Sequence, residues 1–266
     1  MKNNQNMLPG ARLQVPLIVA HRGATQLAPE NSLAAFALAI EKGADAIEFD
    51  VHFSSDRQAV IHHDYYLGRT ESGTGYIGDY SLAELQSLDI GENFGAEFSG
   101  EKMPTLRNVL ELFKGQVRFE IELRCPTLTF LNSVLNEIRA AGVADDVEIT
   151  SPHIPLLAQV KKLAPDLPTG VFFNLFPDWK TTGLGQQHLI DWLVLLDARV
   201  AHLPFALLEK DLIDRLHRQK FLVHACDLRN QDEIEKAICL EIDQFSTDVL
   251  EMAVQARASC RTSITR

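Results

Sequence analysis

The chain has 266 residues, of which 46% are hydrophobic and 23% are charged, a balance typical of folded globular proteins rather than disordered, fibrous or membrane-spanning ones. Its 36 acidic residues outnumber 25 lysines and arginines, and the net charge of -11 argues against nonspecific binding to nucleic acid and against docking on anionic lipid. A chain of this length can bury a large core in one domain without disulfides or a structural metal.

The ends of the chain and its cysteines favour a cytoplasmic protein. Residues 1–14 are polar, with no apolar run that could act as a signal peptide or membrane anchor, and are predicted to be a flexible tail. Residues 256–266 are predicted to be a second tail. Four cysteines without a CxxC pair are expected to be free thiols: Cys125, Cys226, Cys239 and Cys260. Secretion without a cleavable signal stays open as an alternative.

Short apolar runs alternate along the chain with stretches of helical period, which predicts βαβ units and a largely parallel sheet. Nine strands are predicted, over residues 17–20, 46–51, 59–62, 118–123, 147–150, 169–173, weakly 193–203, 221–225 and 244–246. The second and third lie too close together for a parallel crossover, so they are predicted to form a hairpin turning at Asp56 and Arg57. The remaining eight strands predict an α/β fold, the (β/α)8 or TIM barrel.

The barrel domain is predicted to span residues 15–255. Its first helix carries ordinary boundary signals, with Asn31 and Ser32 as candidate N-caps and Gly43 just past the end. Residues 65–104 are rich in glycine and polar turns and contain one short helical pattern. They are predicted to form a small insertion over one barrel mouth.

The first strand is followed directly by His21, Arg22 and Gly23, at the end where such a barrel keeps its chemistry. His21 can exchange a proton near neutral pH, and Arg22 can hold two phosphate oxygens in a bidentate fork. Gly23 lets the chain turn away. Taken alone, however, this tripeptide favours a buried structural histidine beside an ion-paired arginine.

Two strands place acidic side chains on one face. Glu48 and Asp50 alternate with apolar residues, and Glu120, Glu122 and Arg124 do the same further along the chain. Buried like charges are costly unless a divalent cation lies between them, and oxygen ligands favour Mg²⁺ or Ca²⁺ over zinc. Arg124 would then contact a phosphate or neutralise the extra acid.

The hairpin places a second imidazole, that of His63, opposite Asp50. Two histidines flanking a metal and an arginine suit in-line attack on a phosphodiester, with one histidine as base and the other as acid.

These motifs together resemble the glycerophosphodiester phosphodiesterase family, whose fold is a (β/α)8 barrel. They follow the family's order and spacing over about residues 17–250: HRG at 21–23, PENS at 29–32, ExD at 48–50, HHD at 62–64, Arg69 with the glycines after it, ExEL at 120–123, TSP at 150–152 and FSTD at 245–248.

The resemblance implies metal-dependent hydrolysis of a glycerophosphodiester to glycerol 3-phosphate and an alcohol. It implies that His21 and His63 are the acid/base pair, whose order stays open, and that Arg22 and Arg124 contact the phosphate. It further implies that Glu48, Asp50 and Glu122 are the ligands of Mg²⁺ or Ca²⁺, with Glu120 as an auxiliary acid. The partner would be a small molecule, and the oligomeric state stays open.

The chain departs from the family pattern at several positions. The family commonly has Lys at Arg124, and Glu120 is more acidic than expected. Near the seventh strand the family usually shows Trp followed by Thr-Val-Asn, where this chain reads Ala225-Cys226-Asp227-Leu228-Arg229. Loss of an aromatic wall is expected to change substrate preference rather than the reaction.

Three alternative functions remain. A lysophospholipase D and a cyclising phosphodiester lyase would use the same scaffold, and a barrel without the chemistry would only bind phosphodiesters. The aromatic stretch over residues 171–179 fits an acyl chain, although buried packing also explains it.

The other histidines were assigned no catalytic role. His52 and His62 are out of phase with the acidic residues and His63, so they are expected outside the barrel interior. His224 is a candidate substrate contact. Four histidines are expected at the surface: His153, His188, His202 and His217.

Overall fold

The computed structural model describes residues 15–173 and 183–264. Within these ranges the strands are β1 (Leu17–Ala20), β2 (Ala46–Phe53), β3 (Ala59–Ile61), β4 (Tyr66–Leu67), β5 (Gly75–Tyr76), β6 (Arg118–Leu123), β7 (Val147–Thr150), β8 (Gly170–Phe172), β9 (Val200–Pro204), β10 (Leu222–Leu228) and β11 (Gln244–Thr247). The helices are α1 (Leu33–Glu41), α2 (Leu82–Leu85), α3 (Leu106–Phe113), α4 (Leu128–Ala141), α5 (Ile154–Leu163), α6 (Gly183–Leu195), α7 (Lys210–Arg218), α8 (Gln231–Cys239) and α9 (Leu250–Ile264).

Eight parallel strands form the barrel, in the order β7-β6-β2-β1-β11-β10-β9-β8. A parallel bridge between Ile149 and Thr169 joins β7 to the start of β8 and brings the two ends of the sheet together. Helices alternate with these strands along the chain, so the predicted (β/α)8 barrel is confirmed.

The predicted hairpin is also present. Strand β3 runs antiparallel to β2, with Val51 opposite Ile61. At the turn, Ser54 Oγ donates to Asp56 Oδ1 at 2.6 Å, and Arg57 has a φ of 63°, in the left-handed region. The next backbone contact, from His62 N to Asp50 O at 3.0 Å, carries the chain back beside β2 and sets His63 near the acidic residues.

The core lies between the barrel and its helices. Helix α1 begins after Ser32, whose Oγ accepts from Ala35 N at 3.0 Å. Its fully buried Phe36 packs on Phe49 of β2 and on Phe113 of α3, with ring centroids 5.6 and 6.2 Å away. Burying one such side chain contributes about 1.5–3 kcal/mol, and truncating Phe36 to alanine would cost about 3–5 kcal/mol.

The predicted insertion contains the short β4–β5 hairpin and helix α2. Five of its apolar side chains form a small cluster on Val60 of β3: Leu67, Ile77, Leu85, Ile90 and Met103. Tyr65, at its start, donates from its hydroxyl to Arg124 O at 2.9 Å, directly after the end of β6. The insertion therefore begins at the barrel mouth formed by the carboxyl ends of the strands.

Two sequence-based boundaries need correction. The weak strand predicted over residues 193–203 is split, because residues up to Leu195 belong to α6 and β9 begins at Val200. The tail predicted for residues 256–266 is helical as far as Ile264. Ala256 is buried, and Arg257 bonds to Asp45 Oδ2 and to the Pro16 carbonyl, which fixes the helix beside the start of β1.

The tail predicted for residues 1–14 lies outside the described residues. None of the helices in the described ranges combines the length and apolar character that crossing a bilayer requires.

Candidate active site

A cavity of about 260 Å³ opens at the carboxyl ends of the barrel strands. Six residues singled out from the sequence line it: His21, Arg22, Glu48, Glu120, Glu122 and Cys226. Three further residues lie next to this group. Asp50 of β2 pairs with Arg22, and Arg124, just after β6, pairs with Glu122. His63, in the segment after β3, interacts electrostatically with Asp50. The structure thus brings together every site residue that the sequence indicated.

Three carboxylates meet on the inner face of β2 and β6. The parallel register sets Asp50 beside Glu122, and one oxygen from each of Glu48, Asp50 and Glu122 lies within 4.8 Å of the other two. Burial and the Asp50 charge raise the pKa of Glu48 well above its usual range, and burial and the Glu122 charge raise that of Asp50. Because these like charges repel one another inside the barrel, the trio fits a hard divalent cation.

Asn31 also binds this carboxylate trio. Its side-chain amide donates to Asp50 Oδ2 at 3.0 Å, and its buried backbone has a φ of 56°. The sequence indicated an N-cap at Asn31 or Ser32; Ser32 is the cap, whereas Asn31 orients a carboxylate. A local pattern could not reveal this second contact, which spans 19 residues of chain.

Two arginines lie beside the trio. Arg22 donates from its backbone to Glu48 Oε2 at 3.0 Å and places Nε 3.4 Å from Asp50 Oδ2. Arg124 pairs with Glu122 and lies 3.8 Å from Asp50 Oδ1. In each guanidinium the buried Nε makes no hydrogen bond. Both groups therefore keep a donor for an anionic ligand such as a phosphate.

His21 lies between two aspartates. Its Nδ1 donates to Asp248 Oδ1 at 2.9 Å, and its Nε2 lies 3.9 Å from Asp227 Oδ1. Burial acts to lower the pKa of His21, but the Asp248 hydrogen bond and the charges of Glu48 and Asp227 outweigh it and raise the pKa to about 9. The imidazolium form is therefore favoured at neutral pH.

His63 lies in the opposite electrostatic setting. Burial lowers its pKa, and the Asp50 charge and the 2.7 Å hydrogen bond to Asp64 only partly offset this. Asp64 accepts from Arg69 Nε at 2.5 Å, and Arg69 binds Glu30 with both terminal nitrogens, at 2.7 and 2.6 Å. The ion pairs from Glu30 through Arg69 to Asp64 therefore fix the position of the His63 ring from the side away from the cavity.

Asp64 and Asp248 are two functional-site residues to which the sequence assigns no role. Both lie in quoted motifs, HHD and FSTD, so a carboxylate directly after His63 was a usable signal. The pairing of Asp248 with His21 spans 227 residues and depends on closure of the barrel between β1 and β11.

Several histidines differ from expectation. His202 was expected at the surface but is fully buried on β9, and His224 of β10 stacks on it with ring centroids 4.1 Å apart. His153 bonds to the Arg124 carbonyl at 3.0 Å, and His217 to Asp243 at 2.8 Å, so neither is a free surface group. The sequence predicts a strand over residues 193–203 that is longer than β9, and this hides the alternation of inward and outward side chains that would place His202 in the interior.

His52 and His62 form no part of the cavity lining. His52 lies 3.2 Å from the His63 carbonyl, and His62 bonds to the buried Glu71 at 3.2 Å. Of the aromatic stretch 171–179, Phe172 and Phe173 line the cavity. Residues 174–179 lie outside the described residues.

Residues 21–252 match the model of the glycerophosphoryl diester phosphodiesterase family. A glycerophosphodiester phosphodiesterase of Caldanaerobacter subterraneus is 37% identical over 59% of this chain and 67% of its own length. One of Bacillus altitudinis is 28% identical over 90% of this chain and 97% of its own.

A solved structure extends the comparison. The phosphodiesterase of Oleispira antarctica, in complex with the product sn-glycerol-3-phosphate, has a TM-score of 0.81 and 27% identity, covering 91% of this chain and 96% of its own. The family model spans most of the barrel, from the HRG motif at the end of β1 to the start of α9. The chain therefore belongs to the glycerophosphoryl diester phosphodiesterase family and is an enzyme of phosphodiester hydrolysis.

Proposed function

We propose that this enzyme hydrolyses glycerophosphodiesters to glycerol 3-phosphate and an alcohol, using a divalent cation and two histidines. The observation that carries the proposal is the arrangement of one carboxylate trio with two arginines and the histidines His21 and His63 around it, and the opposite pKa shifts of the two histidines support it. An acid and a base with separated pKa values are what the cleavage of a phosphodiester requires near neutral pH.

Glu48, Asp50 and Glu122 would hold the cation, and their three oxygens suit Mg²⁺ or Ca²⁺. When bound, the ion would neutralise charge on the phosphoryl oxygens and so stabilise the transition state. Arg22 and Arg124 would bind the remaining phosphate oxygens with the donors that they keep free.

The two histidines would divide the proton transfers. His63, neutral because its pKa is lowered, would take a proton from the attacking water as the water oxygen bonds to phosphorus. The bond from phosphorus to the leaving oxygen then breaks, and that oxygen takes the proton of His21, which Asp248 and Asp227 keep charged. Each histidine thus starts in the protonation state that its step needs.

The dimensions of the cavity favour a small polar substrate. Its volume of about 260 Å³ and its charged lining suit a glycerol phosphate group, and Phe172, Phe173 and Cys226 form a less polar side for the alcohol. A lysophospholipid, which the aromatic stretch 171–179 also fits, is the second candidate substrate. A cyclising lyase would use the same residues, but with a substrate hydroxyl in place of water.

A panel assay tests the proposal. Glycerophosphocholine, glycerophosphoethanolamine and lysophosphatidylcholine would each be assayed with Mg²⁺, Mn²⁺, Ca²⁺ and EDTA, and products would be examined for glycerol 3-phosphate and for cyclic phosphate. We expect EDTA, His21→Ala and His63→Ala each to lower the rate of hydrolysis by about 10²-fold or more. His188→Ala, on the outer helix α6, is the matched control and should retain activity.

Activity that survives all three treatments would refute the mechanism. Tight binding of glycerophosphocholine without turnover, in the presence of Mg²⁺ or Ca²⁺, would instead support a barrel that only binds phosphodiesters. A cyclic product would favour the lyase.

A further inference from the structure

A second group of ionisable side chains fills one layer of the barrel interior. The strand register sets Glu120 beside Glu148, and His224 beside both His202 and Gln244. All five are buried. In a TIM barrel such a layer is normally packed with branched apolar side chains, so this polar layer needs a physical reason.

The layer is built with defined contacts. His202 Nε2 donates to Glu148 Oε1 at 2.7 Å, and the rings of His202 and His224 stack at 4.1 Å. Gln244 donates to Glu148 Oε2 at 2.9 Å and lies 3.1 Å from His224 Nδ1. A Cβ atom at Gly170 would lie 2.3 Å from His202 Nε2, so the glycine is what leaves room for this arrangement.

Three atoms of the layer are buried without a hydrogen-bond partner: His202 Nδ1, His224 Nε2 and Glu120 Oε2. An unpaired polar atom in the interior is unfavourable, and three beside one another point to a missing ligand. Cys226 lies two residues beyond His224 on β10. One ligand atom from each of His202, His224 and Cys226 lies within 4.8 Å of the other two.

We propose that His202, His224 and Cys226 bind a second divalent metal ion of the zinc class, with Glu120 as the fourth ligand. Two imidazoles and a thiolate form a borderline-soft donor set, which selects zinc and chemically similar ions and not Mg²⁺ or Ca²⁺. The site is thus chemically different from the carboxylate trio, which offers oxygens alone.

The surroundings of His202 match those of a metal ligand. Its Nε2 donates to a carboxylate, which leaves the lone pair of Nδ1 free on the side of Glu120 Oε1, 3.7 Å away. A carboxylate that fixes the second ring nitrogen is the usual support of a zinc-binding histidine. Binding through His224 Nε2 leaves the proton on Nδ1, which faces the carboxylate oxygen Glu120 Oε2 at 3.3 Å.

The dimensions and the route of entry are compatible with an ion. Ligand atoms in a tetrahedral zinc site lie about 3.3–3.8 Å apart, so atoms now within 4.8 Å need small side-chain rotations. His202 and Cys226 line the same cavity that opens at the barrel mouth, so an ion can enter from solvent.

Cobalt binding tests this site independently of hydrolysis. The full-length chain would be stripped of metal and saturated with Ca²⁺, which occupies oxygen sites, and then titrated with Co²⁺. We expect one Co²⁺ per chain, with intense visible bands of a tetrahedral ion and a near-ultraviolet band from thiolate to cobalt. Zn²⁺ should displace it.

Variants assign the ligands. Cys226→Ser should abolish the thiolate band, and Glu148→Gln should weaken Co²⁺ binding by about 10–100-fold through loss of support for His202. The double variant Cys239→Ser/Cys260→Ser, on the outer helices α8 and α9, is the matched control and should retain the band.

Either of two results would overturn the proposal. One is that the Ca²⁺-saturated chain takes up no Co²⁺, and the other is that the thiolate band is unchanged in Cys226→Ser. Because Cys226 is only partly buried, its replacement by serine is expected to leave the fold intact. Circular dichroism of each variant checks this.

Discussion

The charge on His21 can be tested by the substitution Asp248→Asn. The change keeps the size of the side chain but removes the carboxylate 2.9 Å from His21 Nδ1. Raising the His21 pKa from 6.5 to about 9 corresponds to about 3.4 kcal/mol in favour of the imidazolium, at 1.36 kcal/mol per pKa unit. The His21 side chain is 20% exposed but that of Asp248 is 45% exposed, so solvent screens part of the interaction and about 3.4 kcal/mol is an upper value.

The Asp248 hydrogen bond is the largest of the contributions that raise the His21 pKa, and Glu48 is the next. A cation bound to the carboxylate trio would cancel the Glu48 charge, which leaves Asp248 and Asp227 to hold the proton. We therefore expect Asp248→Asn to lower the His21 pKa by about one unit or more, or about 1.4 kcal/mol.

The assay is the pH dependence of kcat/KM for glycerophosphocholine at saturating cation. A general acid must be protonated, so activity falls as pH rises through its pKa. Lowering the His21 pKa therefore moves the alkaline limb of the profile to lower pH. Histidine resonances in NMR titrations of the same proteins measure the pKa directly.

Asp64→Asn is the matched control, because Asp64 bonds to the other histidine. Loss of that carboxylate disfavours the imidazolium of His63, so its pKa falls and the acid limb moves to lower pH. The alkaline limb should stay in place. If Asp248→Asn leaves the alkaline limb unmoved while its NMR titration shows a lower His21 pKa, then His21 is not the acid.

Three further outcomes are expected. Glu48→Gln should weaken cation binding by at least about tenfold in calorimetric titrations, yet raise the melting temperature of the metal-free protein, because it removes a buried carboxyl that the neighbouring acids repel. Gly170→Ala should destabilise the fold by about 1–3 kcal/mol in urea unfolding, since its Cβ would lie 2.3 Å from His202 Nε2. Arg257→Ala should cost about 1–3 kcal/mol in the same assay by leaving Asp45 and the Pro16 carbonyl without their partner.

Matched substitutions separate these effects from general damage. Gly183→Ala, where no atom lies within 4 Å of the added Cβ, should leave the free energy of unfolding nearly unchanged. Lys42→Ala breaks a solvent-screened ion pair with Glu251 of α9 and should leave the free energy of unfolding nearly unchanged. If Lys42→Ala costs as much as Arg257→Ala, the buried anchor at Asp45 has no special role. A lower melting temperature in metal-free Glu48→Gln would contradict the repulsion within the trio.

The sequence predicted the barrel and the carboxylate trio because both depend on short-range patterns. Alternation puts Glu48 and Asp50 of β2 on one face and Glu120 and Glu122 of β6 on one face, and the family resemblance selects Glu122 as the third ligand. The few residues between the second and third strands allow only a hairpin. These features follow from the geometry of one or two neighbouring strands, which a sequence displays directly.

The contacts that the sequence did not predict join segments that are distant along the chain. Asp248 meets His21 because β11 pairs with β1, and His202 meets Glu148 across 54 residues. No local period encodes such a meeting. His202 was further hidden by the apolar end of α6, where Val194 and Leu195 are exposed and mimic the start of a strand.

The charge of -11 takes on a local meaning once the site is known. The three carboxylates of the trio exceed the two guanidinium groups beside them by one negative charge when all are ionised, so this group of five side chains repels a phosphodiester anion. A divalent cation reverses that sign to one positive charge. Since the rest of the surface is acidic as well, we expect attraction of the substrate to depend on the cation before any bond is broken, so that cation binding and substrate binding would be coupled.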